Sequence, residues 1–207
     1  VLRAATGLTH IEAENAFALA IQERVDGNIN AKTVYREKAA AVRRSGLMEI
    51  IEPDPRGMDA VGGYDNLKAY LRQYTRAFSK KAREYFLPAP RGILVVGVPG
   101  CGKSLMAKIV ASLLNVPGLR LDLASMFAGI VGESEARIRA ALALADAIAP
   151  CVVWVDEIDK ALAGSTSSGD LDSGVGKRIL GTMLTWQAEH KHDVYMFATA
   201  NQVQHLP

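Results

Sequence analysis

The chain has 207 residues, 49% hydrophobic and 22% charged, an ordinary globular composition that excludes disordered and fibrous classes. No apolar run approaches the roughly 18 residues of a membrane-spanning helix, the start Val1-Leu2-Arg3-Ala4-Ala5 carries no secretory pattern, and two cysteines, Cys101 and Cys151, point to a reducing compartment rather than a disulfide framework. The net charge of +2 hides a split: residues 66–120 hold ten Lys and Arg against one acid, Glu84, and residues 121–174 hold nine acids against three basic residues. That split suits a basic phosphate site facing an acidic metal site, or a basic partner surface.

Residues 1–51 read as a helical segment. Thr9-His10-Ile11-Glu12 is a capping-box pattern, and Ile11, Phe17, Leu19, Ile21 and Val25 give the adjoining helix an apolar face. Asp26-Gly27-Asn28 breaks it, and a second helix is predicted over 31–45, stopping at Gly46. Residues 52–58, with Pro53, Pro55 and Gly57, read as a linker. Two short helices bury little core alone, so they are expected to dock on the α/β portion of the chain or on a domain outside it. Over 59–207 strand and helix alternate, with strands predicted at 93–97, 119–122, 152–156 and 194–199. This pattern specifies an α/β parallel sheet flanked by crossover helices. The stretch 164–176, rich in Gly, Ser and Asp, reads as a loop.

Residues 97–104, Gly97-Val98-Pro99-Gly100-Cys101-Gly102-Lys103-Ser104, carry the phosphate-loop pattern G-x-x-x-x-G-K-[ST]. A β-branched strand precedes it and a helical pattern opening with Leu105 comes after it, the context the motif requires. Glycines let backbone N–H groups crowd onto an anion, and the helix start turns its positive end toward it. Lys103 supplies a point charge for the β- and γ-phosphates, and Ser104 a hydroxyl ligand for Mg²⁺.

About 50 residues beyond Lys103, the strand Cys151-Val152-Val153-Trp154-Val155 ends in Asp156-Glu157. Acids at the C-terminal end of a buried parallel strand open onto the ligand crevice. Asp156 is the candidate metal carboxylate and Glu157 the candidate base for the attacking water. A third strand, Val194 to Thr199, ends in Ala200-Asn201 and offers an amide to orient that water.

Together these segments resemble an ATPase of the AAA type: Walker A at 97–104, Walker B at 152–157 and a sensor-like Asn201. Asp59-Ala60-Val61-Gly62-Gly63-Tyr64 resembles the opening of that module, and Val131-Gly132-Glu133-Ser134-Glu135 a segment within it. A narrower resemblance, through Gly100 to Leu105, Leu180 to Trp186 and Ser45-Gly46-Leu47, is to the hypothetical chloroplast reading frame forty-six family of algal plastids and cyanobacteria. The resemblance implies ATP and Mg²⁺ as cofactors and adenine contacts at Val61 and Gly62. It implies a five-stranded sheet with the two later-lying strands between Walker A and Walker B. It places the last strand, the lid and the arginine fingers after Pro207, so the chain reads as a P-loop NTPase module truncated before them. Residues 1–50 would be the tail of a degenerate AAA-like portion. It also implies a homo-oligomeric, hexamer-type ring acting on protein partners, in plastid stroma or bacterial cytoplasm.

One position departs from the family. Its unfoldases usually carry an aromatic in the pore loop where this chain has Ile130. Ile lacks the flat contact area of an aromatic, which keeps open a nucleotide-gated scaffold that does not thread substrate. The basic, aromatic-containing stretch 68–83 reads as a solvated helix face with Leu71, Tyr74 and Phe78 inward, so nucleic acid is not expected. Cys101 reads as a small residue tolerated in the loop, and His10, His190, His192 and His205 show no metal-ligand spacing.

Overall fold

The computed structural model describes residues 5, 8–24, 29, 31–51, 54, 56–78, 80–114, 116–127, 133–163, 172–202 and 204. Two helices open the chain, α1 (His10–Gln22) and α2 (Ala31–Ser45). The capping box forms: the Thr9 side chain accepts from the Glu12 backbone N–H, and the Glu12 carboxylate accepts from the Thr9 N–H at 3.0 Å. The expected apolar face of α1 forms only in part: Phe17, half-buried, packs with Ala16, Ala20 and Val34 of α2, while Ile11, Leu19 and Ile21 are exposed. The two buried alanines let the helices approach closely. Val25 and the 26–28 break lie outside the described residues.

After Gly46, whose φ of +65° ends α2, Glu49–Ile51 form a short strand, β1. The sequence pattern placed these residues in the helical segment. Instead Ile50 and Ile51 pair antiparallel with the edge of the sheet. A 3₁₀ turn at Gly57–Ala60 leads to α3 (Asp65–Ala77) and α4 (Lys80–Glu84). Then come β2 (Gly92–Val96), α5 (Lys103–Leu114), β3 (Gly118–Leu121), α6 (Leu123–Phe127), α7 (Glu133–Ile148), β4 (Cys151–Val155), α8 (Ile158–Ala163), α9 (Asp172–Glu189) and β5 (Val194–Ala200). The predicted 164–176 loop is shorter at its end, since α9 begins at Asp172, and residues 164–171 lie outside the described residues, as does Ile130.

The sheet has five strands in the order β1-β3-β4-β5-β2, all parallel except β1. Here one expectation is corrected: a single strand, β5, lies between the Walker A strand and the Walker B strand, not two. The fifth strand of this sheet is β1, at the opposite edge from β2.

Both faces are covered, so β4 is apolar at every position. Cys151, Val153 and Val155 face one core with α6, α7 and α9; Val152 and Trp154 face the other with α3 and α5. The α1–α2 hairpin docks on the first core through Val42 and a buried lysine. Lys38, 4% exposed, donates to the carbonyl of Ile148 at 3.2 Å. Ile148 ends α7, where carbonyls lack helical partners and the helix dipole is negative. Burial pushes the Lys38 ammonium down from its ordinary value, and pushes the buried Cys151 thiol up to about 12.

Candidate nucleotide site

The strand register builds the site. Val96 of β2 is opposite Ala200 of β5, and Val155 of β4 is opposite Ala198. All three strands therefore end at one rim of the sheet, the crevice side of such folds. Gly97 stays on β5 one step further, donating its N–H to the Ala200 carbonyl at 3.1 Å. The chain then turns over β5 into α5. Gly100 and Gly102 have φ of +79° and +94°, a region closed to residues with a Cβ except at a cost. Pro99 and Gly100 are exposed at the crest, Ser104 is exposed on the first turn of α5, and Leu105 is half-buried against the α3–α5 core.

Lys103 is only 7% exposed. Its ammonium donates to the carbonyls of Gly97 at 2.6 Å and Val98 at 2.9 Å, and to Asn201 Oδ1 at 2.9 Å. Asn201 Nδ2 donates in turn to Glu157 Oε1 at 3.1 Å. The amide has its oxygen on the cation and its nitrogen on the anion, the orientation this chemistry demands. Glu157 also pairs with Lys160, one turn along, with 2.7 Å between Nζ and Oε1. The Lys160 ammonium first, then the Asn201 amide, hold the Glu157 carboxyl below the usual carboxylate range, so Glu157 is ionised near neutrality.

Asp156 joins through a hydroxyl that the motifs do not include. Thr199 Oγ1 donates to Asp156 Oδ1 at 2.6 Å and accepts from the Glu157 N–H at 3.0 Å. Asp159, buried, accepts the N–H groups of Asn201 and Gln202 on Oδ2, each at 3.1 Å. On β3, Arg120 Nη2 lies 4.0 Å from Asp156 Oδ2, and its guanidinium stacks over Trp154. A charged residue inside an otherwise apolar strand was the available signal for Arg120; a polar residue in the apolar β5 run was the signal for Thr199.

The segment before α3 is tied to the phosphate loop. Tyr64, at φ +58°, donates its hydroxyl to the Cys101 carbonyl. Val61 is buried in the core and its carbonyl accepts from Lys68 Nζ; Gly62 is exposed. Of the predicted site residues, Lys103, Asn201, Glu157 and Asp156 thus form one network around β5, while Val61 and Gly62 lie on the neighbouring segment.

Residues 93–207 match the ATPase family associated with various cellular activities (AAA). The chain belongs to the AAA family. Residues 1–45 match a second description, the SpoVK-like AAA ATPase, second domain. Along its whole length this AAA chain is 40% identical, over 208 residues, to the uncharacterized AAA domain-containing protein ycf46 of Guillardia theta, covering 40% of that protein. It is 42% identical over 174 residues to ycf46 of Pyropia yezoensis, covering 84% of this chain and 35% of that one. It is 32% identical over 159 residues to the ribosome biogenesis ATPase RIX7 of Saccharomyces cerevisiae, covering 75% of this chain and 19% of that one. The AAA chain therefore spans about two fifths or less of these relatives. Its fold is similar to the FIGL-1 AAA domain solved with ADP, at a TM-score of 0.63 and 24% identity, over 83% of this chain and 56% of that one. Among the described residues, no helix is long and apolar enough to cross a membrane.

Proposed function

We propose that residues 97–104 bind the phosphates of ATP and that the acids at the end of β4 hydrolyse it. The observation that supports this most is the unbroken contact path from Lys103 through Asn201 to Glu157. It holds a cation for the phosphates and an ionised base at fixed spacing, with a neutral amide between them. The donor set also fits Mg²⁺, a hard cation that takes oxygen ligands: the Ser104 hydroxyl and the Asp156 carboxylate would hold it. When bound, Mg²⁺ neutralises charge on the β- and γ-phosphates. Lys103 adds its charge beside it and swings from the loop carbonyls to the phosphate oxygens. Glu157 accepts the proton of the attacking water, and Asn201 orients that water.

The larger protein is proposed to work as a ring that remodels protein partners, in plastid stroma or bacterial cytoplasm; the algal ycf46 relatives support the plastid reading. Residues 1–50 are proposed as the end of a preceding AAA-like portion, which the match of 1–45 to a second-domain description supports. An arginine supplied by a neighbouring subunit raises such rates by about 10³–10⁵, so this chain alone is expected to turn over slowly or not at all.

The test is Glu157→Gln in the longer protein. ATP binding should persist and turnover fall by about 10²–10⁴, the range for losing a general base. An unchanged hydrolysis rate would overturn the assignment. Unfolding of a stable fluorescent substrate by the same protein with ATP would support remodelling over nucleotide-gated scaffolding.

A further inference from the structure

Thr199 is completely buried, yet neither bond of its hydroxyl goes to its own strand. Its single proton is donated to Asp156 Oδ1 at 2.6 Å, and it accepts the Glu157 N–H at 3.0 Å. One oxygen thereby fixes the side chain of one acid and the backbone of the next. We propose that Thr199 is a positioning residue that sets the geometry of both acids for metal binding and water activation. The proposal rests on the reading of this site as a Mg²⁺-dependent ATPase.

Three features carry it. Thr199 holds Asp156 Oδ1 at 2.6 Å while Oδ2 faces the Arg120 guanidinium at 4.0 Å, so the hydroxyl fixes the orientation of the carboxylate that would meet a cation. Glu157 sits at φ +47°, a left-handed conformation that a residue with a Cβ adopts only when its surroundings enforce it. The bond from its N–H to Thr199 supplies that enforcement and aims the carboxylate at Asn201. Finally, Thr199 lies two residues before Asn201 on β5, between Phe197, packed in the core, and the sensor tip. A displacement of β5 therefore moves the amide and the clamp on the acids together. The β-branched side chain has few χ1 choices, which keeps the hydroxyl aimed across to β4.

Thr199→Val keeps the shape and deletes both bonds; Thr199→Ser keeps the hydroxyl; Thr199→Ala deletes the bonds without demanding room for a second methyl. Each is made in the longer protein. Affinity for a fluorescent non-hydrolysable ATP analogue is titrated with and without Mg²⁺, alongside kcat, KM and thermal unfolding. Losing such an outer partner of a metal ligand costs about 10–100-fold in metal affinity or activity. That loss is expected for Val and Ala in the Mg²⁺-dependent part of the affinity and in kcat. Metal-free analogue binding should stay unchanged, and Ser should restore both losses.

Mg²⁺ dependence and kcat unaffected in a folded Val or Ala variant would overturn the proposal. So would failure of both variants to fold while Ser folds, which would make Thr199 a purely structural residue. If the unsubstituted protein neither binds the analogue with Mg²⁺ nor hydrolyses ATP, the ATPase reading itself fails and this role with it. A normal unsubstituted protein beside indifferent variants removes only the role of Thr199.

Discussion

Glu157 shares its charge with Lys160 one helical turn away, and that pairing predicts a pH response. The lysine favours the carboxylate form and holds the Glu157 carboxyl low. Removing the cation raises the carboxyl toward its ordinary value, so the proton is held up to a higher pH. In Lys160→Met of the longer protein, the acid limb of the kcat/KM profile should therefore move to higher pH. An acid limb that stays in place would show that Lys160 does not tune the base. Lys103, Asp156, Glu157 and Asn201 were legible in the sequence because each sits at a motif position or at the end of an apolar strand. The contacts of Thr199, Asp159 and Tyr64 were not, because their partners lie 43, 42 and 37 residues away in the chain and meet them only once strand register is fixed; a polar residue in an apolar run marks Thr199 without naming its partners.

Strand β2 delivers the phosphate loop, and its contact with β5 leaves no room at its first residue. A Cβ on Gly92 would stand 2.3 Å from the backbone oxygen of Met196. Gly92→Ala must therefore push β2 off β5, at a cost of about 1–3 kcal/mol typical of overpacking. Urea unfolding should register that loss, and ATP affinity should fall with it because the loop leading to Lys103 leaves β2 and Asn201 directly follows β5. Gly181, inside α9, has open space where its Cβ would be. Gly181→Ala should instead stabilise by up to about 1 kcal/mol through helix propensity. Equal stability of the two variants would contradict the packing described. Among the elements, the four parallel strands were readable, three of them displaced by one residue. A strand buried on both faces is apolar throughout and carries no alternation to mark its ends. The three-residue β1 was missed because so short a run has no period to read, and its pairing partner comes much later. The α1 face is only partly readable, because its contact with α2 uses Ala16 and Ala20 beside Phe17 and leaves Ile11, Leu19 and Ile21 outside.

The molecule joins two parts that the sequence separates. The α1–α2 hairpin reaches the ATPase core through Val42, β1 and the Lys38 contact with the end of α7. α7 begins at Glu133, directly after the segment that holds Ile130. Within these 207 residues the proposed chemistry begins at the phosphate loop, 97–104. The most direct test is an equilibrium titration of ATP with Mg²⁺ into this chain, a chain extended past Pro207, and Lys103→Ala of each, with mass followed by light scattering. Saturable binding is expected at both lengths, with a loss of about tenfold or more, or 1.4 kcal/mol, on removing Lys103. Turnover and assembly are expected only in the longer chain. Equal affinity with and without Lys103, or turnover by the isolated chain matching that of the assembled protein, would rule out the proposed phosphate site or its need for a neighbouring subunit.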